Sequence, residues 1–332
     1  MASTNGSRKI LLSGVKPTGR PHIGNYFGAM KQWLDLQEQY DCFFFIADYH
    51  GLNFIQNGDE MRQNILDLAI DYLAIGLDPS KSLIYKQSDI AAHTELTWIF
   101  DAITTMPYLM RAHAFKDADA KNKEISVGTF NYPMLMAADI LLYDPDTVPV
   151  GQDQKQHIEY ARDTAEKFNR IFGQAFKLPE PLILGDVAIV PGTDGQKMSK
   201  SYKNTIPLFA SDEEIKKAVM SIPTDSKGVN DPKDPETDKV FALHKLFASP
   251  DEIAALKDRY LAKDGAGIGY KESKDLLISR ISTFIAPLRS RREQLAKDPE
   301  TIKAILADGA KRARAIAEKK MELVRKLVGV SL

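Results

Sequence analysis

The chain has 332 residues, 44% apolar and 27% charged, with 44 Lys and Arg set against 45 Asp and Glu for a formal net charge of -1. Such a length accommodates two domains, or one large α/β domain with an appendage. A single cysteine, Cys42, excludes an internal disulfide framework, no stretch approaches the ~18 apolar residues of a membrane span, and the near-neutral charge confines any RNA site to a local patch.

Residues 9–13 read as a short buried strand, followed by a Gly- and Pro-rich loop over 14–21. A helix is expected from about 24 to 40, with Tyr26, Phe27, Met30, Trp33, Leu34 and Leu36 on its apolar side. Residues 42–47 form a second strand, in which Cys42 reads as a small buried hydrophobe. An amphipathic helix over 61–75 ends at Gly76, a third strand covers 82–86, and a further helix covers 90–104. Pro133 is expected to open a strongly apolar helix over 134–142. A strand at 147–150 and a helix at 154–172 follow.

Strands alternating with helices imply a parallel sheet covered on both faces, with ligands held beyond the carboxyl ends of the strands. After about residue 206 the pattern turns helical, with segments near 212–221, 237–248, 251–262, 271–297 and 299–328. Ser211 and Glu214 are spaced as a capping box at the first of these. The last carries Lys311, Arg312, Arg314, Lys319, Lys320, Arg325 and Lys326, read as a solvated face or, alternatively, an RNA contact. The polar start, MASTNGSRK, lacks an apolar signal core, and cytoplasm is the expected compartment.

Two loops stand out chemically. Pro21-His22-Ile23-Gly24-Asn25 lies where the first helix begins, and a helix N-terminus favours phosphate. Gly24 would let a nucleotide approach closely, and His22 and Asn25 would donate hydrogen bonds to phosphate oxygens. Gly195-Gln196-Lys197-Met198-Ser199-Lys200-Ser201 is a cationic cover suited to a pyrophosphate leaving group. Taken alone, Gly24 also reads as helix-on-sheet packing and the lysines as a polar turn. No Walker loop and no HExxH motif competes, and Gly265-Ala266-Gly267-Ile268-Gly269 follows no strand.

Together the two loops resemble the signatures of class I aminoacyl-tRNA synthetases. The stretches Ser13–Gly19, Asn131–Leu142 and Val150–His157 with Arg162-Asp163 resemble the tryptophanyl branch in particular. The resemblance spans essentially the whole chain, without an editing insertion. It implies a Rossmann-like parallel sheet over about 1–206, rejoined by the C-terminal helix at about 291–332, and a helical anticodon-binding domain at 207–290. It also implies ATP with Mg²⁺, L-tryptophan and its tRNA as partners, a homodimer, and no protein-bound metal.

Residue by residue, the resemblance implies His22, Asn25, Lys197 and Lys200 as the catalytic set. Lys16, Pro17, Thr18, Gly24, Asn25, Gly151, Gln152, Asp153, Ile189, Met198, Ser199 and Ser201 would join the two lysines around ATP. Tyr132, Met136, Asp139, Gln154 and His50 would hold tryptophan. Departures from the family pattern are Lys16, where many members have Gln, Ala118, near a common phosphate-binding Lys that Lys116 or Lys121 would replace, and the segment 188–192.

Tyr132, Met136 and Asp139 are spaced to share one helix side. Asp139 lies within an otherwise apolar run, where an unpaired carboxylate costs several kcal/mol. An indole N–H would satisfy it; so would a neighbouring Arg or backbone amide. The reaction implied is tryptophan activation by ATP followed by transfer to tRNA. The alternatives are a tyrosyl enzyme, a related adenylyltransferase, or a non-catalytic paralogue that binds tryptophan or RNA.

Overall fold

The computed structural model describes residues 8–112, 115–116, 124–151, 155–183, 190–263 and 265–331. Five strands, β1 (Ile10–Val15), β2 (Asp41–Ile46), β3 (Ser82–Lys86), β4 (Thr147–Val150) and β5 (Glu180–Ile183), form one parallel sheet in the order β3-β2-β1-β4-β5. From residue 42 onward β2 is wholly buried, as a parallel strand covered on both faces must be. β5 was not anticipated from the sequence. It is a four-residue strand, EPLI, paired only with β4, too short and too polar at its start to stand out.

From β1 the chain steps through β2 to β3 on one side, then places β4 on the other. That reversal leaves a crevice outside the carboxyl ends of β1 and β4. The loops that begin at Lys16 and at Gly151 leave from those two ends.

The first helical stretch is not one uniform helix. It comprises α1 (Ile23–Asn25), a π-helical segment (Tyr26–Met30) and α2 (Lys31–Leu36). Single wide turns of this kind recur at functional sites, and this one follows directly on Asn25. Then come α3 (Asp48–Gly51), α4 (Gly58–Ile75), α5 (Ala92–Ile103) and α6 (Met106–Leu109). α4 ends on Gly76 at φ +116°, the left-handed conformation that glycine adopts freely.

α7 (Val127–Leu141) corrects the expectation that Pro133 opens its helix. The helix starts at Ser126, whose Oγ accepts the Thr129 N–H at 3.1 Å, and Pro133 lies inside it. The early turn was hidden because Val127, Gly128, Thr129 and Phe130 are weak helix formers. α8 (Lys155–Phe172) follows.

By its internal contacts the chain forms two compact units. One comprises Met1–Gly19, Trp33–Gly185 and Asp298–Leu332; the other comprises Arg20–Gln32 and Asp186–Lys297. In the second unit lie α9 (Asp212–Met220), α10 (Lys239–His244), α11 (Pro250–Leu261) and α12 (Tyr270–Leu295). The expected capping box at α9 is present, with Ser211 and Glu214 exchanging hydrogen bonds. The Lys274 ammonium donates to the carbonyls of Met220 and Ile222 at 3.0 and 2.6 Å, closing the carboxyl end of α9. His244, Ser273, Tyr260 and Asp238 form a buried polar knot, and Phe27, Phe247 and Phe284 pack ring against ring.

α13 (Pro299–Val328) belongs to the first unit and lies along β3. Its buried stripe is Ile302, Leu306, Gly309, Ala310, Ala313, Ala317, Met321 and Val324. A Cβ at Gly309 would stand 2.0 Å from the Ile84 carbonyl oxygen, so helix and strand touch backbone to backbone. Much of the basic run tethers this helix within its own unit. Arg314 donates to the Asp89 carbonyl and Arg312 to that of Pro79. Lys320 binds the Ala175 carbonyl and pairs with Asp144. Arg325 pairs with Glu95 and Glu318.

Candidate active site

In the first unit, Asp139 of α7 sits at the centre of a buried network with only 2% of its surface exposed. Its Oδ1 accepts from Gln87 Nε2 and His93 Nδ1, both at 2.6 Å. Its Oδ2 accepts from His50 Nε2 at 2.9 Å. Burial would raise the pKa of Asp139, but the hydrogen bonds from His50 and His93 outweigh it and hold the carboxyl below its ordinary value. The sequence reading of a lone acid is therefore corrected: burial is as expected, but three protein donors meet the carboxylate.

Each donor is held in turn. The Gln87 amide oxygen accepts the Tyr49 N–H at 3.1 Å. Because the Asp139 carboxylate only accepts, His93 donates through Nδ1. Its Nε2 then accepts from the Tyr143 hydroxyl at 2.9 Å. α3, which carries His50, is anchored by Asp48, whose carboxylate accepts the Ser88 N–H at 3.0 Å and the Ser88 hydroxyl.

Tyr132 sits edge-on to His50 and to His157, at centroid distances of 6.4 and 5.8 Å. Tyr132, Met136 and Asp139 share α7 as their spacing implied, with the two outer residues half-buried and Asp139 deepest. Gln154 lies outside the described residues, as do Gln152, Asp153, Ile189, Ala118 and Lys121. Gly151 is exposed just after β4, and Lys116 is exposed.

Lys16 follows β1, with its ammonium 4.4 Å from the centroid of the Phe54 ring. Its stem is open to solvent, yet crowding around the ammonium strips hydration and lowers its pKa. Pro17 is buried beside Gly51, where an added Cβ would stand 3.3 Å from the proline Cδ. The Thr18 N–H closes a tight turn onto the Lys16 carbonyl at 2.9 Å.

In the second unit the two signature loops meet. A Cβ at Gly24 would lie 2.8 Å from His22 Nδ1 and 3.2 Å from Met198 Cβ, so no side chain fits there without displacement. His22 Nδ1 accepts the Asn25 N–H at 3.3 Å, while Asn25 Oδ1 accepts the His22 N–H at 3.0 Å. This reciprocal cap makes the neutral His22 an Nε2–H donor and leaves the Asn25 amide nitrogen as a second donor. Burial, and then the Lys200 ammonium, push His22 down to about 4, so it is neutral at pH 7. The Ile23 N–H binds the Ile206 carbonyl at 3.0 Å, tying the loop to the segment after 201.

The 195–201 loop is organised by Asn204, a residue the motifs did not flag. Asn204 Oδ1 accepts the Ser199 N–H at 2.7 Å, and its amide nitrogen donates to Asp194 at 2.7 Å and to the Lys197 carbonyl at 3.1 Å. Gly195 takes φ +86°, and Met198 is 4% exposed while Lys197, Lys200 and Ser201 point outward. Gln87 and His93 were likewise missed. A signal existed for both: Gln87 follows the carboxyl end of β3, and His93 falls on the buried stripe of α5 with Ala92, Leu96 and Phe100. Cys42 is buried and its thiol is pushed up to about 12, first by burial and then by Asp41, as expected of an inert core residue.

A family model for "tRNA synthetases class I (W and Y)" matches residues 4–286. The chain belongs to this family. Among its relatives, the tryptophan–tRNA ligase of Fusobacterium nucleatum is 50% identical, over 97% of this chain and 98% of its own. That of Rhodopirellula baltica is 49% identical over 96% and 99%. A solved tryptophanyl-tRNA synthetase from Campylobacter jejuni, in complex with ADP and tryptophan, superposes with a TM-score of 0.91 at 45% identity, covering 96% of this chain and 99% of that one. The Rossmann-like class I fold expected from the sequence is the one this synthetase family shares.

Proposed function

We propose that this chain is a tryptophan–tRNA ligase: it activates L-tryptophan with ATP to tryptophanyl-adenylate and pyrophosphate, then passes tryptophan to its tRNA. Near-half identity to tryptophan–tRNA ligases over almost the full length supports the activity. The observation that carries the amino-acid choice is the Asp139 carboxyl group, buried on the same helix as Tyr132 and Met136. Among the described residues Oδ2 takes one donor, so this acceptor-only group suits an indole N–H, a hydrogen bond that phenylalanine cannot make.

The tryptophan carboxylate attacks the α-phosphorus of MgATP, the bond to the bridging oxygen breaks, and pyrophosphate leaves. Neither step needs a protein nucleophile, so the chain contributes positioning and charge. In our reading, His22 through Nε2–H and Asn25 through its amide donate to phosphate oxygens, with Gly24 admitting the nucleotide. Lys197 and Lys200, with Ser199 and Ser201, neutralise the departing phosphates, and Met198 flanks adenine with the backbone near Ile189. Lys16, Pro17 and Thr18 approach the α-phosphate or the substrate carboxylate, and Gly151, Gln152 and Asp153 meet the ribose. Tyr132 and Gln154 take the ammonium, and His50 and Met136 line the indole.

We assign residues 207–290 to anticodon binding and the protein to the cytoplasm, as a homodimer. Among the described residues no helix is long and apolar enough to cross a membrane. Trp98, Met106 and Val127 expose 75%, 67% and 80% of their surface on α5, α6 and the start of α7, apolar area that a second copy would cover. ATP–pyrophosphate exchange with each of the twenty amino acids tests the function. Exchange with tryptophan alone is expected; exchange only with tyrosine would overturn the specificity, and none at all the enzyme.

A further inference from the structure

A carboxylate offers about four acceptor positions, two on each oxygen. On Asp139, Oδ1 is full, taken by Gln87 and His93. Among the described residues Oδ2 takes one donor, His50. Gln87 and His93 are both 0% exposed, so they act behind the carboxylate and do not line its open side. His50, by contrast, lies beside Tyr132, on the side that the proposed function gives to the substrate. Each rear donor is held: Gln87 by the Tyr49 amide, and His93 by the carboxylate itself, which selects the Nδ1–H tautomer, with the Tyr143 hydroxyl bound at Nε2.

We propose that Gln87 and His93 are positioning residues for substrate choice: by saturating Oδ1 they fix the carboxylate plane and leave a single acceptor site, on Oδ2, for the indole N–H. This rests on the reading that Asp139 meets the indole. The physical reason is rotational. With Oδ1 unfilled, the carboxylate turns about its Cβ–Cγ bond and presents either oxygen, and burial then favours a bound proton. A protonated acid donates as well as accepts and no longer requires a donor from the ligand.

The test compares tryptophan with its benzothienyl analogue, in which sulfur replaces the indole N–H, by ATP–pyrophosphate exchange on the full chain. The wild type should prefer tryptophan in kcat/KM. Gln87→Met and His93→Leu should each shrink that preference about tenfold, the scale of one lost charge-assisted hydrogen bond, by raising KM for tryptophan with KM for ATP unchanged. His93→Asn, which restores an N–H near the Nδ1 position, should recover most of the preference. Tyr143→Phe, which removes the hydroxyl held at His93 Nε2, should cost about threefold. It also serves if the two core variants fail to fold. An unchanged preference in the folded variants, or in Tyr143→Phe alone, would overturn the positioning role and leave the Asp139–indole reading standing. A wild type indifferent to the analogue would overturn both.

Discussion

Gly309 offers a test in which local propensity and tertiary packing predict opposite signs. In an isolated helix, Gly309→Ala should stabilise by about 1 kcal/mol, because alanine loses less backbone entropy. In this fold the new Cβ would stand 2.0 Å from the Ile84 carbonyl oxygen and 2.8 Å from its carbon. Both belong to the backbone of β3, which is held in register with β2 from Ser82 to Lys86 and cannot swing away. α13 must therefore retreat by over ~1 Å to reach ordinary contact distance, which opens the seam at Ala310, Ala313 and Ala317. Overpacking against so rigid a partner lies at the upper end of the usual range, about 3 kcal/mol. The net loss is then about 2 kcal/mol, or a fall in Tm of about 4–8 °C for a domain of this size. Thermal unfolding followed by far-UV circular dichroism gives the answer. Ala315→Gly, at an exposed position of the same helix, supplies the propensity scale without the clash. A Tm for Gly309→Ala equal to or above that of the wild type would refute the close approach.

Other outcomes follow from the two loops and the titrating groups. Asn204→Ala frees the Ser199 N–H and the Lys197 carbonyl, and should slow tryptophan activation about tenfold with KM for tryptophan within about twofold; unchanged single-turnover activation would remove Asn204 from the loop's architecture. Lys200→Ala should likewise slow activation and spare tryptophan affinity, and retained rates would end its leaving-group role. Because the Lys16 pKa lies below 10.5, its contribution should fade on an alkaline limb below that value. Lys16→Arg should carry activity to higher pH, and coincident pH–rate profiles would count against the assignment. Burial first, and then the Arg280 guanidinium, push His244 from 6.5 down to about 4. Between these values the unfolded chain binds a proton that the native one refuses, so stability falls as pH drops from about 7 to about 4 and then levels. His244→Gln should flatten that decline by on the order of 3 kcal/mol in urea titrations; an equally steep wild-type and variant curve would contradict it.

The alternation of strands and helices, the caps at Ser211 and Gly76, and the two signature loops were legible in the sequence because each depends on residues near one another in the chain. Periodicity and capping act over one or two turns. β5, the early start of α7 and the π-helical turn after Asn25 escaped for the same reason: their local signals are short or contradict their neighbours. Pro133 reads as a helix start until Ser126 is seen capping Thr129.

What the tertiary structure alone decided is which groups meet Asp139. From the sequence Asp139 stood unpaired in a hydrophobic run. Folding brings Gln87, His93 and His50 to it across 52, 46 and 89 residues of chain, and no pattern along one strand or helix encodes such separations. The same holds for Gly309 meeting Ile84 and for the basic residues of α13 binding carbonyls of distant loops. Local sequence selects the conformation of each segment, but the partner of a buried polar group is chosen by which segments the sheet places side by side, because only there does a desolvated charge recover the hydrogen bonds it gave up to water.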